Sequence, residues 1–215
     1  MKDICVSVQH VSKRFGSETV LDDVSRDFET GRIHGIVGNN GSGKTVLFKC
    51  ICGFLRPEKG RVLVDYEEVG RDVDFPPDLG LIIETPGFLP GLTGQQNLEL
   101  LASLRRRISR EQVREAMQRV GLDPLLRKKV GSYSLGMRQR LGIAQAIMER
   151  PSLLVLDEPF NGLDRTGVSE MRTLLREMNR EGVTILLASH NAGDIEELCD
   201  TVCEMDAGII QEAAL

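Results

Sequence analysis

A glycine-rich octapeptide carries the clearest chemical signal in the sequence. It fits the pattern G-x-x-x-x-G-K-[ST] and consists of Gly38, Asn39, Asn40, Gly41, Ser42, Gly43, Lys44 and Thr45. Glycines at this spacing let successive backbone N–H groups turn towards phosphate oxygens, while the lysine reaches the β- and γ-phosphates and the threonine hydroxyl can ligate Mg²⁺. Val46 follows at the start of an expected helix, whose N-terminus adds partial positive charge. The segment therefore predicts nucleotide binding.

Two adjacent carboxylates supply the second chemical element. Asp157 and Glu158 directly follow the apolar residues 153–156, which are typical of a core strand. A carboxylate at the carboxyl end of such a strand lies beside the phosphate loop, so Asp157 is predicted to hold the Mg²⁺ shell, directly or through water. Glu158 is predicted to orient or deprotonate the attacking water.

The elements around these residues follow from apolar periodicity. Residues 32–38 are predicted to form a strand that ends at the glycine-rich turn, and a helix follows, with apolar positions at helical spacing up to Phe54. Further strands are predicted at residues 4–8, 61–66 and 79–83, helices at 94–107, 110–120 and 135–148, and a closing hairpin with its turn at 206–208. Residues 152–157 and 183–189 are continuous apolar runs, which is typical of parallel strands covered on both faces.

Composition narrows the class of protein. The chain has 215 residues, 27 Lys and Arg, 32 Asp and Glu, and 41% hydrophobic residues, which is ordinary for a soluble globular protein. No apolar run approaches the roughly 18–20 residues of a membrane span, and no secretory signal precedes the first strand, so a cytoplasmic protein with no direct membrane span is expected. The odd set of five cysteines lacks zinc-site spacing and is expected to be reduced and mostly buried.

The middle of the chain is locally basic. Residues 105–129 contain nine basic and three acidic side chains, against a net charge of -5 for the whole chain. A solvated helix face is the favoured interpretation, and a docking surface for a partner or anionic lipid is the alternative. Nucleic-acid binding is not expected, because no aromatic residues are interleaved with the basic ones.

A further segment makes the assignment specific. Residues 133–141 read Tyr-Ser-Leu-Gly-Met-Arg-Gln-Arg-Leu, and Ser134 and Gly136 at the start of a helix form another potential anion site. This segment resembles the signature of the nucleotide-binding subunits of ABC transporters, usually Leu-Ser-Gly-Gly-Gln. With the two nucleotide motifs on either side of it, the resemblance covers essentially the whole chain. Leu135 and Met137 depart from the usual Gly and Gln.

The resemblance implies an architecture and a set of partners. The implied fold is α/β, a P-loop NTPase core with a mainly parallel sheet, an N-terminal antiparallel β subdomain and an inserted helical subdomain. Residues 1–83 and 150–215 would form the core and 84–149 the helical part of a single ATPase domain. ATP and Mg²⁺ are the implied ligands, held in a head-to-tail homodimer, or in a pseudo-dimer with a related ATPase subunit. Transmembrane permease subunits would anchor it to the cytoplasmic face of the plasma membrane.

The resemblance also assigns individual residues. It places Phe15 against adenine, Ser134, Gly136 and Met137 at the γ-phosphate of ATP on the opposite subunit, and His190 at the γ-phosphate. Asp164 belongs to the segment that communicates between the two sites. His10 and His34 match no motif and are expected to be structural.

Glu84 is the most informative departure, because family members usually have Gln at this place. Its carboxylate can still ligate Mg²⁺ but adds negative charge beside a triphosphate, so altered metal affinity or pH dependence is expected. Glu84, the Pro-Gly-Phe that follows Thr85 and the Tyr-Ser-Leu-Gly-Met segment resemble bacterial exporters of the bacitracin-resistance and lantibiotic-immunity type.

Two other classes of protein were weighed against this interpretation. A soluble ABC-type regulatory or repair ATPase without a membrane partner would usually carry long coiled coils or two ATPase halves, and 215 residues hold neither. A P-loop GTPase or small-molecule kinase would leave the signature segment unexplained, and the guanine motif Asn-Lys-x-Asp does not occur. The transported substrate is not encoded in this chain, since the family's cargo pathway lies in the membrane subunits.

Overall fold

The computed structural model describes residues 3–84 and 87–212, and two sheets organise them. The first sheet is antiparallel, with the strand order β2-β1-β4-β5. Its strands are β1 Ile4–Phe15, β2 Glu18–Glu29, β4 Lys59–Val64 and β5 Glu67–Glu68. The predicted alternation of Val6 and Val8 with polar residues is seen as one buried face of β1.

The second sheet has six strands in the order β10-β9-β3-β8-β7-β6. Its strands are β3 Ile33–Val37, β6 Leu79–Ile82, β7 Leu153–Asp157, β8 Thr184–Ser189, β9 Thr201–Asp206 and β10 Ile209–Glu212. All neighbouring strands are parallel except β9 and β10, which form the predicted closing hairpin. The expected α/β class, with a mainly parallel sheet and an N-terminal antiparallel sheet, is confirmed.

Six helices surround the sheets in the described ranges. They are α1 Lys44–Ile51, α2 Gly94–Arg105, α3 Arg110–Arg119, α4 Leu135–Ile147, α5 Arg165–Arg180 and α6 Ala192–Leu198. The prediction for α2 was two residues too long, because Arg106 takes the left-handed conformation (φ 53°) and caps the helix. The predicted capping box of α3 is present, with Ser109 and Gln112 as its two members. Among the described residues, no helix combines the length and the apolar character needed to cross a bilayer.

The parallel sheet separates two hydrophobic cores. Leu154 and Leu156 of β7 pack in the core that includes α3, α4 and α5, while Leu153 and Val155 pack with α1 and the antiparallel sheet. Alternate residues of one buried strand thus face opposite cores, which explains why β7 has no polar position until Asp157. Four cysteines are buried and Cys199 is half-buried, and burial raises the pKa of Cys5 to about 11.

The topology brings four carboxyl ends to one edge of the sheet. β3, β8, β7 and β6 are consecutive neighbours and run in the same direction. The glycine-rich loop leaves β3, Asp157 ends β7, His190 follows β8, and Glu84 lies two residues after β6. Residues far apart in sequence therefore meet where parallel sheets bind their ligands.

Candidate functional site

The glycine-rich loop encloses the Lys44 side chain. Lys44 is the first residue of α1, only 6% exposed, and its Nζ donates to the carbonyl oxygens of Gly38 (2.6 Å) and Asn39 (3.0 Å). Gly41 and Gly43 have φ of 84° and 110°, which residues with a side chain rarely adopt. A side chain at Gly38 would also meet the carbonyl oxygen of Met205 at 2.2 Å. The loop therefore needs its glycines to fold around the ammonium group.

Two observations test the fit of this loop to phosphate. The ammonium group of Lys44 donates only to carbonyl oxygens, and it forms no ion pair within 4.0 Å in the part of the chain that the structure describes. The Ser42 hydroxyl is buried and has no hydrogen-bond partner among the described residues. Buried polar groups are normally satisfied, so these groups fit an anionic ligand that would accept hydrogen bonds.

Thr45 and Asp157 form the candidate metal site. The Thr45 hydroxyl donates to Asp157 Oδ2 at 2.5 Å. Burial raises the pKa of the Asp157 carboxyl, the charges of Glu158 and Glu84 add to this, and the Thr45 hydrogen bond and Lys44 oppose it. A buried carboxylate that is costly to ionise fits a cation, and hydroxyl and carboxylate oxygens are ligands that Mg²⁺ takes.

Protein ligands alone would not complete this metal site. Among the side chains that the structure describes, no three of His, Cys, Asp or Glu are grouped closely enough to hold a metal ion. A metal held by Thr45 and Asp157 would therefore take its other ligands from phosphate oxygens and water, as Mg²⁺ usually does in nucleotide sites.

Glu158 is held by the end of the neighbouring strand β8. Its Oε1 accepts from the backbone N–H of His190 at 2.8 Å and lies 2.8 Å from His190 Nδ1, while the Ser189 hydroxyl donates to Oε2 at 3.4 Å. Its own backbone N–H donates to Ala188 O, and its φ of 51° is unusual for a residue with a side chain. These contacts fix the carboxylate in place, as a group that must orient a water molecule requires.

The predicted catalytic residues line two adjoining cavities. One, of about 320 Å³, is lined by Val20, Asn40, Gly41, Gly43, Lys44, Thr45, Val46, Asp157 and Glu158. The other, of about 460 Å³, contains Ser189, His190 and the segment 160–163, and Glu158 lines both. A larger cavity of about 830 Å³ lies at the opposite edge, where β7 and β8 begin, and none of the predicted site residues lines it. The convergent polar groups, rather than cavity size, identify the candidate site.

Glu84 contacts α1 instead of the candidate metal site. Its Oε1 lies 2.6 Å from Lys49 Nζ, the side chain is 64% exposed, and its φ is 60°. Lys49 is four residues after Thr45, so the two share one face of α1. Lys49 was not among the predicted site residues; its spacing from Thr45 indicates a shared helix face but not the pairing with Glu84.

Phe15 ends β1 and does not line either site cavity. Its ring is 48% exposed, and Lys13 Nζ lies 5.6 Å from the ring centroid. An exposed ring is compatible with stacking on a purine, and its assignment to adenine stays a prediction.

The signature residues lie outside the phosphate-loop cavity of their own chain. Ser134 is the N-cap of α4, and its hydroxyl accepts from the Met137 backbone N–H at 3.2 Å. Gly136 is packed so tightly that an added side chain would meet Gly162 O at 2.9 Å. Asp164 likewise caps α5 by accepting from Gly167 N–H at 2.8 Å. The sequence thus predicted residues that the single chain does not bring together.

Two contacts join α4, the helix that begins in the signature segment, to the residues after Glu158. Neither contact was predicted from the sequence. Gln139 Nε2 donates to Pro159 O at 2.9 Å. Leu135 packs against Gly162, and a Cβ added at Gly162 would lie 2.4 Å from the Cγ atom of Leu135. Neither contact has a signal in apolar spacing, because both depend on the tertiary approach of α4 to this segment.

Comparisons with known proteins agree with this geometry. The ABC transporter family profile matches residues 21–161. The chain is 39% identical to the uncharacterized ABC transporter ATP-binding protein YybJ of Bacillus subtilis (strain 168), over 96% of this chain and 94% of that protein. It is 41% identical to the bacitracin transport ATP-binding protein BcrA of Enterococcus faecalis, over 96% of this chain and 68% of that protein. It is 32% identical to the lantibiotic transport ATP-binding protein SrtF of Streptococcus pyogenes, over 92% of this chain and 85% of that protein.

Solved structures share the fold over nearly the whole chain. CbiO1 from Clostridium perfringens, part of the ABC transporter complex cbiONQ, matches with a TM-score of 0.81 and 28% identity, over 98% of this chain and 88% of that chain. The ATP-binding cassette MJ0796, in a dimeric post-hydrolysis state bound to ADP and Pi, matches with a TM-score of 0.86, over 98% of this chain and 99% of that chain. Its sequence identity is 22%, so this match shows a shared fold alone. The chain therefore belongs to the ABC transporter family, as an ATP-binding subunit that hydrolyses ATP.

Proposed function

We propose that two copies of this subunit close head to tail around two ATP molecules. The observation that carries the proposal is the separation of Ser134 and Gly136 from the cavity that Lys44, Asp157 and Glu158 share. Ser134 presents a hydroxyl at a helix N-terminus, where an anion is favoured, yet its own chain's phosphate loop is elsewhere. A second copy would bring the two half-sites together, and the dimeric state of MJ0796 supports this arrangement.

Within each composite site, the residues of this chain position and neutralise the phosphates. The Lys44 ammonium would contact the β- and γ-phosphate oxygens in place of the loop carbonyls, and Ser134 of the opposite copy would donate to the γ-phosphate. Thr45 and Asp157 would hold Mg²⁺, which when bound neutralises developing charge on the phosphates. Because phosphoryl transfer has a loose transition state, such positioning supplies most of the rate acceleration.

Glu158 and His190 would act on the attacking water. The Glu158 carboxylate accepts from the His190 backbone N–H and is paired with Nδ1, so its remaining lone pairs are available for a water proton. With a proton on Nδ1 facing Glu158, Nε2 of the neutral His190 ring is an acceptor, so it would contact the γ-phosphate through a water that donates to both; a direct bond would need a second ring proton on Nε2. Glu158→Gln would keep the shape of this group but lose its basicity.

We further propose that ATP-driven closure moves separate permease subunits in the direction of export. The identity to the bacitracin transport protein BcrA and the lantibiotic transport protein SrtF supports an antimicrobial peptide or drug as cargo. In this proposal residues 84–149 move as a helical unit against the core formed by 1–83 and 150–215, and the protein works at the cytoplasmic face of the plasma membrane.

Light scattering on size-exclusion fractions of Glu158→Gln tests the proposed closure. With Mg-ATP we expect twice the 23.8 kDa monomer mass, because slowed hydrolysis traps the ATP-bridged dimer. Adding Lys44→Ala to this variant is the control and should abolish the dimer. A Glu158→Gln protein that binds ATP but stays a monomer would contradict the proposal. The same variant, isolated from source membranes with Mg-ATP, should retain its permease.

A further inference from the structure

An ion pair outside the predicted catalytic set links α1 to the segment after β6. Lys49 Nζ lies 2.6 Å from Glu84 Oε1, with the Lys49 side chain 28% exposed and that of Glu84 64% exposed. Lys49 follows Thr45 by one helical turn, so the pair lies next to the Thr45–Asp157 hydrogen bond. Glu84 is close enough for its charge to contribute to the raised pKa of Asp157.

The local charges explain why this pairing matters. Glu84, Asp157 and Glu158 place three carboxylates around the edge where a triphosphate is proposed to bind. Lys44 is engaged by the loop carbonyls, which leaves Lys49 as the cation that contacts Glu84. The Glu84 carboxylate thus has two competing partners: the Lys49 ammonium and, in the nucleotide complex, the metal at Thr45 and Asp157.

We propose that Lys49 is a positioning residue that competes with the bound metal for the Glu84 carboxylate. This inference rests on the proposed metal site of the nucleotide complex. While the Glu84 carboxylate is paired with Lys49, it stays beside α1 and adds no direct ligand to the metal. Lys49 thereby weakens metal binding.

Mn²⁺ binding to the ADP-bound protein tests this competition without using activity. Four proteins are compared by electron paramagnetic resonance titration of free Mn²⁺: wild type, Lys49→Met, Glu84→Gln and the double variant. Lys49→Met should tighten Mn²⁺ binding about fivefold, because the released carboxylate gains the metal as its partner. In the Glu84→Gln background the same change should alter Mn²⁺ binding less than about twofold, because no carboxylate is released and only the Lys49 charge is lost.

Two controls separate positioning from bulk charge and from folding. Lys49→Arg keeps a cation within reach of Glu84 and should bind Mn²⁺ like the wild type. Lys59→Met removes an exposed positive charge from β4, in the other sheet, and should leave Mn²⁺ binding unchanged. The pair is partly exposed, so its removal should affect metal binding more than unfolding.

The outcomes distinguish the inference from the function on which it rests. Equal tightening by Lys49→Met in both backgrounds, or tightening in neither, would overturn the role of Lys49 through Glu84. Failure of all four proteins, wild type included, to bind Mn²⁺ with ADP would instead overturn the proposed metal site itself, and the inference with it.

Discussion

At the residue scale, His34 shows how a histidine without a motif is explained by packing. It is 2% exposed in β3; its Nε2 lies 2.8 Å from Glu29 O and its Nδ1 2.7 Å from the Thr201 hydroxyl. Because a carbonyl can only accept, the neutral ring carries its proton on Nε2 and accepts from Thr201 at Nδ1. Burial lowers the pKa of His34 below its usual 6.5.

We expect His34 to make the protein less stable in mild acid. Since its pKa is lower in the folded than in the unfolded state, its stability contribution is full above the unfolded pKa and is lost as pH falls from there through the folded pKa. The slope should approach about 1.4 kcal/mol per pH unit between the unfolded and the folded pKa. Urea unfolding between pH 7.5 and 5.5 should show this loss in the wild type and in His10→Gln, whose histidine is exposed, and a smaller one in His34→Gln. Equal losses in all three would contradict the assignment.

The residue scale also shows what the sequence could predict about the site. The roles proposed for Lys44, Thr45, Asp157 and Glu158 come from local patterns, since each follows a strand end or opens a helix. The structure places these residues around one cavity. The Lys49–Glu84 pair was not predictable in the same way, because it depends on which rotamer a long side chain adopts between two elements.

At the element scale, the approach of α4 to the segment after β7 sets a steric limit. Gly162 has φ 77°, and an added Cβ would lie 2.4 Å from Leu135 Cγ. Gly162→Ala should therefore lower the free energy of unfolding by more than the roughly 1–2 kcal/mol of left-handed backbone strain. Gly182→Ala, at φ 98° with no atom within 4 Å of the added Cβ, carries only that strain and is the matched control.

Removing the opposing side chain separates the two costs. Gly162→Ala combined with Leu135→Ala should be destabilised less than the sum of the single variants, since the two closest contacts, with Leu135 Cγ and Cδ2, are removed. Urea unfolding of the four variants measures this coupling. Strictly additive losses, or equal losses for Gly162→Ala and Gly182→Ala, would show that Leu135 does not limit the approach of α4.

Elements differed in how well apolar spacing predicted them. β7 and β8 were predicted from continuous apolar runs, which reflect burial on both faces, and α3 from its amphipathic pattern and capping box. α5 was not assigned, although Met171, Leu174, Leu175 and Met178 recur at helical spacing. β2 was not assigned either. Its side chains are mixed in polarity, and its bulges with β1, near the left-handed Asp23, break the strict alternation of buried and exposed residues.

The basic segment also has an element-scale explanation. Arg105, Arg107 and Arg110 pair with Glu149, Asp78 and Glu99, which belong to other elements or neighbouring turns. The hydrogen bond from Arg110 lowers the pKa of Glu99. Three of the nine basic side chains are therefore paired with acids from outside the segment, and this supports the favoured interpretation of a solvated helix face.

At the scale of the whole molecule, the central claim is that each ATP site is shared between two chains. In a two-fold symmetric dimer, every site combines the phosphate loop of one copy with the signature helix of the other. One variant can carry a defective phosphate loop and another a defective signature helix. In a mixed dimer of the two, both defects fall in the same ATP site, and the other site is intact.

Mixing Lys44→Ala with Ser134→Asp is the most direct test. Aspartate caps a helix as well as serine does, so the fold is kept while a carboxylate opposes the γ-phosphate. Each variant alone should hydrolyse almost no ATP. Their equimolar mixture should regain up to about a quarter of wild-type activity, since half of the random dimers are mixed and each has one intact site. A mixture as inactive as its components, or a Ser134→Asp protein with full activity, would contradict a shared site.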